Sequence, residues 1–295
     1  MANLTLKQLR YFESLARHGH FGRAAEAAAI SQPALSMQIK ELEDGLGAPL
    51  FDRSARAIRL TGFGEEFATR ARDILRLVEE LEDSARIARD QMAGRLRLGV
   101  IPTVAPYLLP QVIAELTRVY PALDLQLRET ITPKLLAELA EGRLDCAIVA
   151  LPVSEPALIE VPLFAEDFVL VRPLAEAGLP APNARDLREM RLLLLEEGHC
   201  FRDQALSFCK LQAAAPREVM DGSSLTTLVQ MVGAGIGVTL IPEMAVAVET
   251  RLAPVAVTRF AAPAPARQIG MVWRRSSPLA RQLAAIAEVV QGVRR

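Results

Sequence analysis

The sequence predicts two architectures in series. An all-α N-terminal segment closed by a short β-wing is followed, after one long connecting helix, by an α/β segment in two lobes. Three observations carry this. Apolar residues over 6–46 recur at helical spacing, with small and capping residues at the breaks. Residues 62–90 hold one long amphipathic stripe. From residue 95 onward, strand-like and helix-like segments alternate.

The first helix is read from Leu6, Leu9, Phe12 and Leu15. A second covers FGRAAEAAAI, 21–30, where Ala24, Ala25 and Ala28 let a neighbouring helix approach closely. Ser31 caps a third, with Pro33 in its first turn, where a missing N–H costs nothing. Leu35, Ile39, Leu42 and Leu46 face inward, and Gln32, Ala34, Ser36, Met37 and Lys40 point elsewhere. LFDRSARAIRLT, 50–61, reads as two short strands around a turn. Phe67, Ala71, Ile74, Leu75, Val78, Leu81 and Ala85 form the stripe of the long helix, which suits a dimer-forming connector ended by Gly94.

Strands are predicted at 96–102, 123–129 and 145–150, with helices at 105–118 and 132–141 between them. This order predicts a mostly parallel sheet. Strands at 158–164 and 167–172 follow, then a second α/β set over 190–257. The strand 268–274 and helix 278–292 return to the first set. The expected divisions are 1–61, 62–94, a first lobe of 95–166 with 268–295, and a second lobe of 167–267.

At 295 residues and 51% apolar, the chain has room for two or three cores and no disordered character. It contains no run of 18 apolar residues, so no membrane span is expected. MANLTLKQLRYF lacks the long apolar core of a signal peptide, so a cytoplasmic location is expected. A net charge of −1 gives no whole-molecule case for nucleic-acid binding. Locally, residues 1–64 carry eight bases and six acids, and 65–93 carry five bases and eight acids. Arg53, Arg56 and Arg59 cluster in the wing.

GHCFRDQALSFC, 198–209, holds two of the three cysteines. In a chain without an export signal such a pair reads as chemistry before bracing, although spacing alone is weak evidence. FRDQALSF is a plausible helix with Cys200 at its start, where the positive dipole end favours the thiolate that acts as nucleophile. His199 adjoins it and Arg202 follows two residues on. Cys146 reads as an inert core residue, and His18 and His20 as helix-end residues with too few neighbours for a metal site. No cofactor is expected.

Residues 6–64, with AA…SQPALS…I…LE…LG…LF.R, resemble the LysR-type transcriptional regulators. That resemblance implies a winged helix-turn-helix, a linker helix and a two-lobed effector domain like periplasmic binding proteins. VIPTVAPYLLP (100–110), GRLDCAIVAL (142–151), IEVPLF (159–164), EEGHCFRDQALSFC (196–209) and GAGIGVTLIP (233–242) are similar to the peroxide-sensing branch of that family. Ala105 and Lys210 depart from the branch pattern, which has glycine and an apolar residue there.

The resemblance implies roles. Cys200 reacts with hydrogen peroxide, and Cys209 resolves the sulfenic acid into a disulfide. Thr103, Thr132, His199, Arg202 and Arg267 bind or activate the peroxide. For Thr132 a helix N-cap is an equal reading, and one residue can do both. The third helix enters the major groove of double-stranded DNA at a palindromic site. There Gln32, Pro33, Ser36 and Met37 reach base edges, Lys40 and Arg53 reach phosphates, and Arg56 enters the minor groove. Further implied partners are a second copy (as a dimer of dimers), RNA polymerase, and a thiol reductant such as glutaredoxin or thioredoxin. Two alternatives remain at this point: a regulator answering a small carboxylate bound between the lobes, and a thiol peroxidase.

Overall fold

Apolar spacing builds the first unit. In it, α1 (Leu6–His18), α2 (Phe21–Ala27) and α3 (Gln32–Leu46) bury Leu9, Phe12 and Leu15, Ala24 and Ala25, and Leu35, Ile39 and Leu42 in one core. Thr5 and Gln8 form a capping box ahead of α1, and Gly19 ends it at φ +60°. Ser31 Oγ accepts from Ala34 N ahead of α3, with Pro33 in the first turn. Leu6, predicted on the buried face, is exposed because it lies in the first turn, outside the three-helix contact. Leu46 is only partly buried. The second helix stops short of the predicted 30, since Ala29 turns the chain at φ +53°.

The computed structural model describes residues 4–52, 58–87, 92–208 and 221–293. They fall into two compact units, Met1–Ala88 and Arg89–Arg295. In the first unit, β1 (Phe51–Asp52) and β2 (Arg59–Leu60) pair antiparallel as the wing. The long α4 (Gly62–Ile87) packs Ala68, Ala71 and Leu75 on the three-helix core. Its predicted stripe splits there: Ile74 and Leu81 are exposed, as is Leu77 outside the stripe. Gly94, predicted to end this helix, instead opens the first strand of the second unit.

The second unit begins with β3 (Gly94–Val100), α5 (Ala105–Val119), β4 (Leu123–Glu129), α6 (Thr132–Ala140) and β5 (Cys146–Leu151). Next come β6 (Leu158–Pro173), α7 (Ala184–Glu189), β7 (Leu192–Leu195) and α8 (Cys200–Phe208). They are followed by β8 (Asp221–Gly222), α9 (Leu225–Gly233), β9 (Val238–Pro242) and α10 (Val246–Glu249). Finally β10 (Val255–Arg259), β11 (Ala266–Arg274) and α11 (Ala280–Gly292) close the fold.

The strands form one path, β4-β3-β5-β11-β6-β9-β7-β8, with β10 also on β6. The sheet is mixed rather than mostly parallel. β3 is parallel to β4 and β5, but β11 returns from the far side and therefore runs antiparallel to both β5 and β6. The two strands predicted around 165 are one, β6, running unbroken for 16 residues. Glu166 lies between the two predicted strands. It stays extended because Arg267 lies directly opposite on β11 and pairs with it.

Two cores result. One collects β3, β5, β11, α5, α6 and α11 around Val100, Ile148, Met271 and Ile286. The other collects the end of β6, β7, β9, α8 and α9 around Leu170, Leu193, Phe201 and Val229. Ala105, one of the two departures from the branch pattern, is the buried first residue of α5. No helix among the described residues is long and apolar enough to cross a membrane.

Candidate functional site

Cys200 is the first residue of α8. The preceding turn carries Gly198 at φ +92°, and a Cβ built there would lie 2.7 Å from Ile131 Cδ1. Glycine is therefore required twice, by the backbone angle and by the close approach. The turn presses the start of α8, an element of the second core, against the first. Cys200 itself is half-buried and packs on the first core, while Phe201 next to it belongs to the second. The thiol sits at the junction of the two.

Beside it lies a cavity of about 280 Å³ lined in part by Thr103, Ile131 and His199. Tyr107 and two carboxylates, Glu129 and Glu249, also line it, with the hydroxyl residues Thr130, Ser223, Ser224 and Thr226. No lysine or arginine is among the described residues that line it. Tyr107 Oη donates to Glu249 Oε1 at 2.6 Å, linking α5 to α10 at the cavity wall. Burial first, then this bond to Glu249, pushes the Tyr107 phenol far above its ordinary value. Burial also lowers the His199 imidazole, against an opposing pull from Glu196, so at neutral pH the ring is uncharged and has one donor and one acceptor.

Arg267, on β11, is completely out of solvent. Its Nη1 donates to Thr103 Oγ1 at 2.8 Å and its Nη2 to the Thr103 carbonyl at 3.0 Å. Its guanidinium carbon lies 5.7 Å from the Phe201 ring centroid. Glu166 is its counter-ion at 2.8 Å. Arg202 is used differently: its Nη1 donates to the Leu195 carbonyl at 2.9 Å, tying α8 back to the end of β7. Thr132 is the first residue of α6, and the N-cap position falls to Ile131, so no side-chain cap forms there. Thr132 Oγ1 is buried without a hydrogen-bond partner. So is Gln204 Oε1, one helical turn on from Cys200.

The sequence-predicted residues thus divide. Thr103 and His199 meet at one cavity, Arg267 holds Thr103, and Cys200 and Thr132 adjoin its lining residues His199 and Ile131. Cys209 and Lys210 lie outside the described residues, as do Arg53 and Arg56 of the wing. On α3, Gln32, Pro33, Met37 and Lys40 are exposed and Ser36 is half-buried, so one outer face carries them all. Cys146 is fully buried, and burial with the neighbouring Asp145 pushes its thiol well above the ordinary value. His18 ends α1 and His20 caps α2 by accepting from Gly22 N. Glu166, Tyr107, Glu249 and Gln204 were not singled out by sequence. Only Gln204 carried a signal, four residues after Cys200 on the same predicted helix.

Residues 6–65 match the bacterial regulatory helix-turn-helix protein model of the lysR family, and residues 89–295 match the LysR substrate binding domain. The chain belongs to the LysR family of transcriptional regulators. A probable hydrogen peroxide-inducible genes activator from Streptomyces viridosporus is 45% identical, covering 97% of this chain and 93% of the relative. The DNA-binding transcriptional dual regulator OxyR of Escherichia coli K12 is 42% identical over 98% of this chain and 95% of its own. A full-length OxyR variant from Pseudomonas aeruginosa superposes with a TM-score of 0.78 at 38% identity, covering 99% of this chain and 96% of that one. An OxyR mutant from Corynebacterium glutamicum with hydrogen peroxide bound gives 0.67 at 37% identity over 98% and 92%. This LysR-type regulator therefore lies on the OxyR branch, which sets aside the reading as a thiol peroxidase enzyme.

Proposed function

We propose that the chain is a hydrogen peroxide-sensing activator of transcription, switched at Cys200. The observation that carries this is a thiol at a helix N-terminus beside a cavity whose charged lining is acidic alone. A small neutral solute is accepted there, whereas a carboxylate effector would meet Glu129 and Glu249 at like charge.

In the reaction, the Cys200 thiolate attacks one peroxide oxygen. An S–O bond forms, the O–O bond breaks, and sulfur loses two electrons to the departing hydroxide, which a proton from solvent converts to water, with the neutral His199 ring offering a hydrogen bond to it. Thr103 and Thr132 hold the peroxide through their hydroxyls, and Arg267 fixes Thr103. Arg202 pins the helix until oxidation. Cys209 then displaces water from the sulfenic acid to give the disulfide.

Helix geometry makes this a conformational event. Cys200 and Phe208 bound a helix whose rise separates their Cα atoms by about 12 Å. The next residue is one Cα step of about 3.8 Å away, so it comes no nearer than about 8 Å. A disulfide spans at most about 7 Å. Bonding of Cys200 to Cys209 thus requires α8 to unwind.

In the same reading, residues 1–61 bind DNA through Gln32, Pro33, Ser36, Met37, Lys40, Arg53 and Arg56. Residues 62–94 join two copies, whose exposed Ile74, Leu77 and Leu81 supply the apolar seam. The lobes divide at 166/167 and 267/268. A dimer of dimers sits on a palindromic promoter in the cytoplasm, contacts RNA polymerase, and is reset by glutaredoxin or thioredoxin.

Thiol counting after one equivalent of peroxide tests the scheme. Wild type loses two thiols, Cys200→Ser loses none yet still binds DNA, and Cys209→Ser stops at the sulfenic acid. Free Cys200 and Cys209 in peroxide-treated, DNA-competent wild type would refute it.

A further inference from the structure

We infer that Glu166 is the positioning residue of the thiol site, holding Arg267 in the orientation that makes the Thr103 hydroxyl a donor into the cavity. This rests on the peroxide reading of that cavity. Glu166 lies on β6 in register with Arg267 on β11, and their side chains are 1% and 0% exposed. Glu166 Oε2 accepts from Arg267 Nε at 3.0 Å and Nη2 at 2.8 Å. Its Oε1 accepts from Met244 N at 2.9 Å, so the second core's backbone fixes the carboxylate in turn.

Held this way, Arg267 directs Nη1 at Thr103 Oγ1. A hydroxyl has one hydrogen and two lone pairs, and a guanidinium accepts nothing. The Thr103 hydrogen must therefore point away from Arg267. Thr103 lines the cavity, so that hydrogen is offered to a peroxide oxygen there. The same guanidinium lies over Phe201, the residue after Cys200. One carboxylate thus fixes an arginine that touches the hydroxyl on one side and the helical turn carrying the sulfur on the other.

Only a carboxylate of this length fits. A glutamine at 166 has one acceptor oxygen and one NH₂ group. With its oxygen toward Met244 N, its NH₂ faces the Arg267 donors; reversed, it faces Met244 N–H. Either way buried donors are left unmatched. Stability alone is a weak reason for the pair, because desolvation offsets much of a buried ion pair's attraction.

The test uses the reduced full-length protein. Oxidation of Cys200 by hydrogen peroxide and its alkylation by iodoacetamide are timed in parallel in wild type, Glu166→Gln, Thr103→Val and Arg267→Met. Glu166→Gln should slow the peroxide reaction roughly 10- to 100-fold. Alkylation, which reports thiolate availability and does not use Thr103, should stay within about twofold. Thr103→Val should show the same peroxide-selective loss, and adding Glu166→Gln to Thr103→Val or Arg267→Met should change little more. The inference is overturned by an unchanged peroxide rate in Glu166→Gln or Thr103→Val, by equal losses with both reagents, or by full additivity. Failure of wild-type Cys200 to be oxidised would instead refute the peroxide reading itself.

Discussion

Replacing Gly198 with alanine tests how tightly the turn before Cys200 is held. Two costs add. The backbone sits at φ +92°, and an L-residue in the left-handed region loses about 1–2 kcal/mol. The new Cβ would stand 2.7 Å from Ile131 Cδ1 and 3.9 Å from Cγ1. Carbon atoms rest at about 3.5–4.0 Å, so only the Cδ1 contact is too close. A terminal methyl can give way in part, which puts this term near the low end of overpacking, about 1–2 kcal/mol. The sum is about 2–4 kcal/mol. For a unit of about 200 residues that corresponds to a fall in Tm of roughly 5–15 °C.

Trp273, the only tryptophan, is buried in the first core and reports this unit's unfolding by fluorescence. The decisive arm adds Ile131→Val, which deletes Cδ1. In wild type that change costs about 0.5–1.5 kcal/mol. In the Gly198→Ala background it should be neutral or stabilising, because it removes the clash and leaves only the backbone term. An equal cost of Ile131→Val in both backgrounds would refute the close approach. A neutral Gly198→Ala would refute the constraint on the turn altogether.

Two further outcomes follow from single groups. The His199 imidazole is lowered by burial on folding, so the folded state binds fewer protons than the unfolded chain. Its contribution is therefore complete above its ordinary value of 6.5 and is lost as pH falls through the lower folded value. The Tm of wild type should drop more steeply between pH 7 and pH 5 than that of His199→Gln, and parallel curves would contradict this. In the first unit, Glu43 Oε1 accepts from Leu50 N at 2.8 Å and Phe51 N at 3.1 Å, where the chain turns into the wing. Glu43→Ala should destabilise that unit by about 1.5–3 kcal/mol and weaken DNA binding, with Cys200 oxidation unaffected; an unchanged unfolding midpoint would show that these bonds contribute nothing.

Local signals made the first unit legible. Leu9, Phe12 and Leu15 declare a face by spacing alone, and Ser31 with Pro33 marks a helix start from adjacent residues. Sequence periodicity also names apolar residues that the molecule leaves uncovered. Ile74 and Leu81 continue the α4 stripe in pattern, but both are exposed, while Leu75 between them packs on the three-helix core. The thiol site was legible where its residues are neighbours, as Gly198, His199 and Cys200 are. It was illegible where the partner is distant. Glu166 is 101 positions from Arg267, and Tyr107 is 142 from Glu249. Neither acid was singled out by sequence, and the same blindness split β6 in two. A buried charge in mid-strand needs a counter-charge, and Glu166 finds its own opposite on β11, which no local window contains.

The position of Cys200 at the seam of two cores has an energetic consequence for the proposed switch. Unwinding α8 withdraws Phe201 and Leu206 from the second core, where both are buried. Each such side chain contributes about 1.5–3 kcal/mol, so the reduced fold is favoured by about 3–6 kcal/mol from these two alone. Whatever the disulfide costs in lost packing appears in its reduction potential. For a two-electron couple, about 30 mV corresponds to 1.4 kcal/mol, so the loss raises the potential by about 65–130 mV. A disulfide made without lost packing would be as hard to reduce as a structural one, below about −300 mV. One that must first dismantle a helix is shifted toward the range of cellular thiol reductants. The packing that separates Cys200 from Cys209 before oxidation is thus the same packing that lets the signal be erased after it.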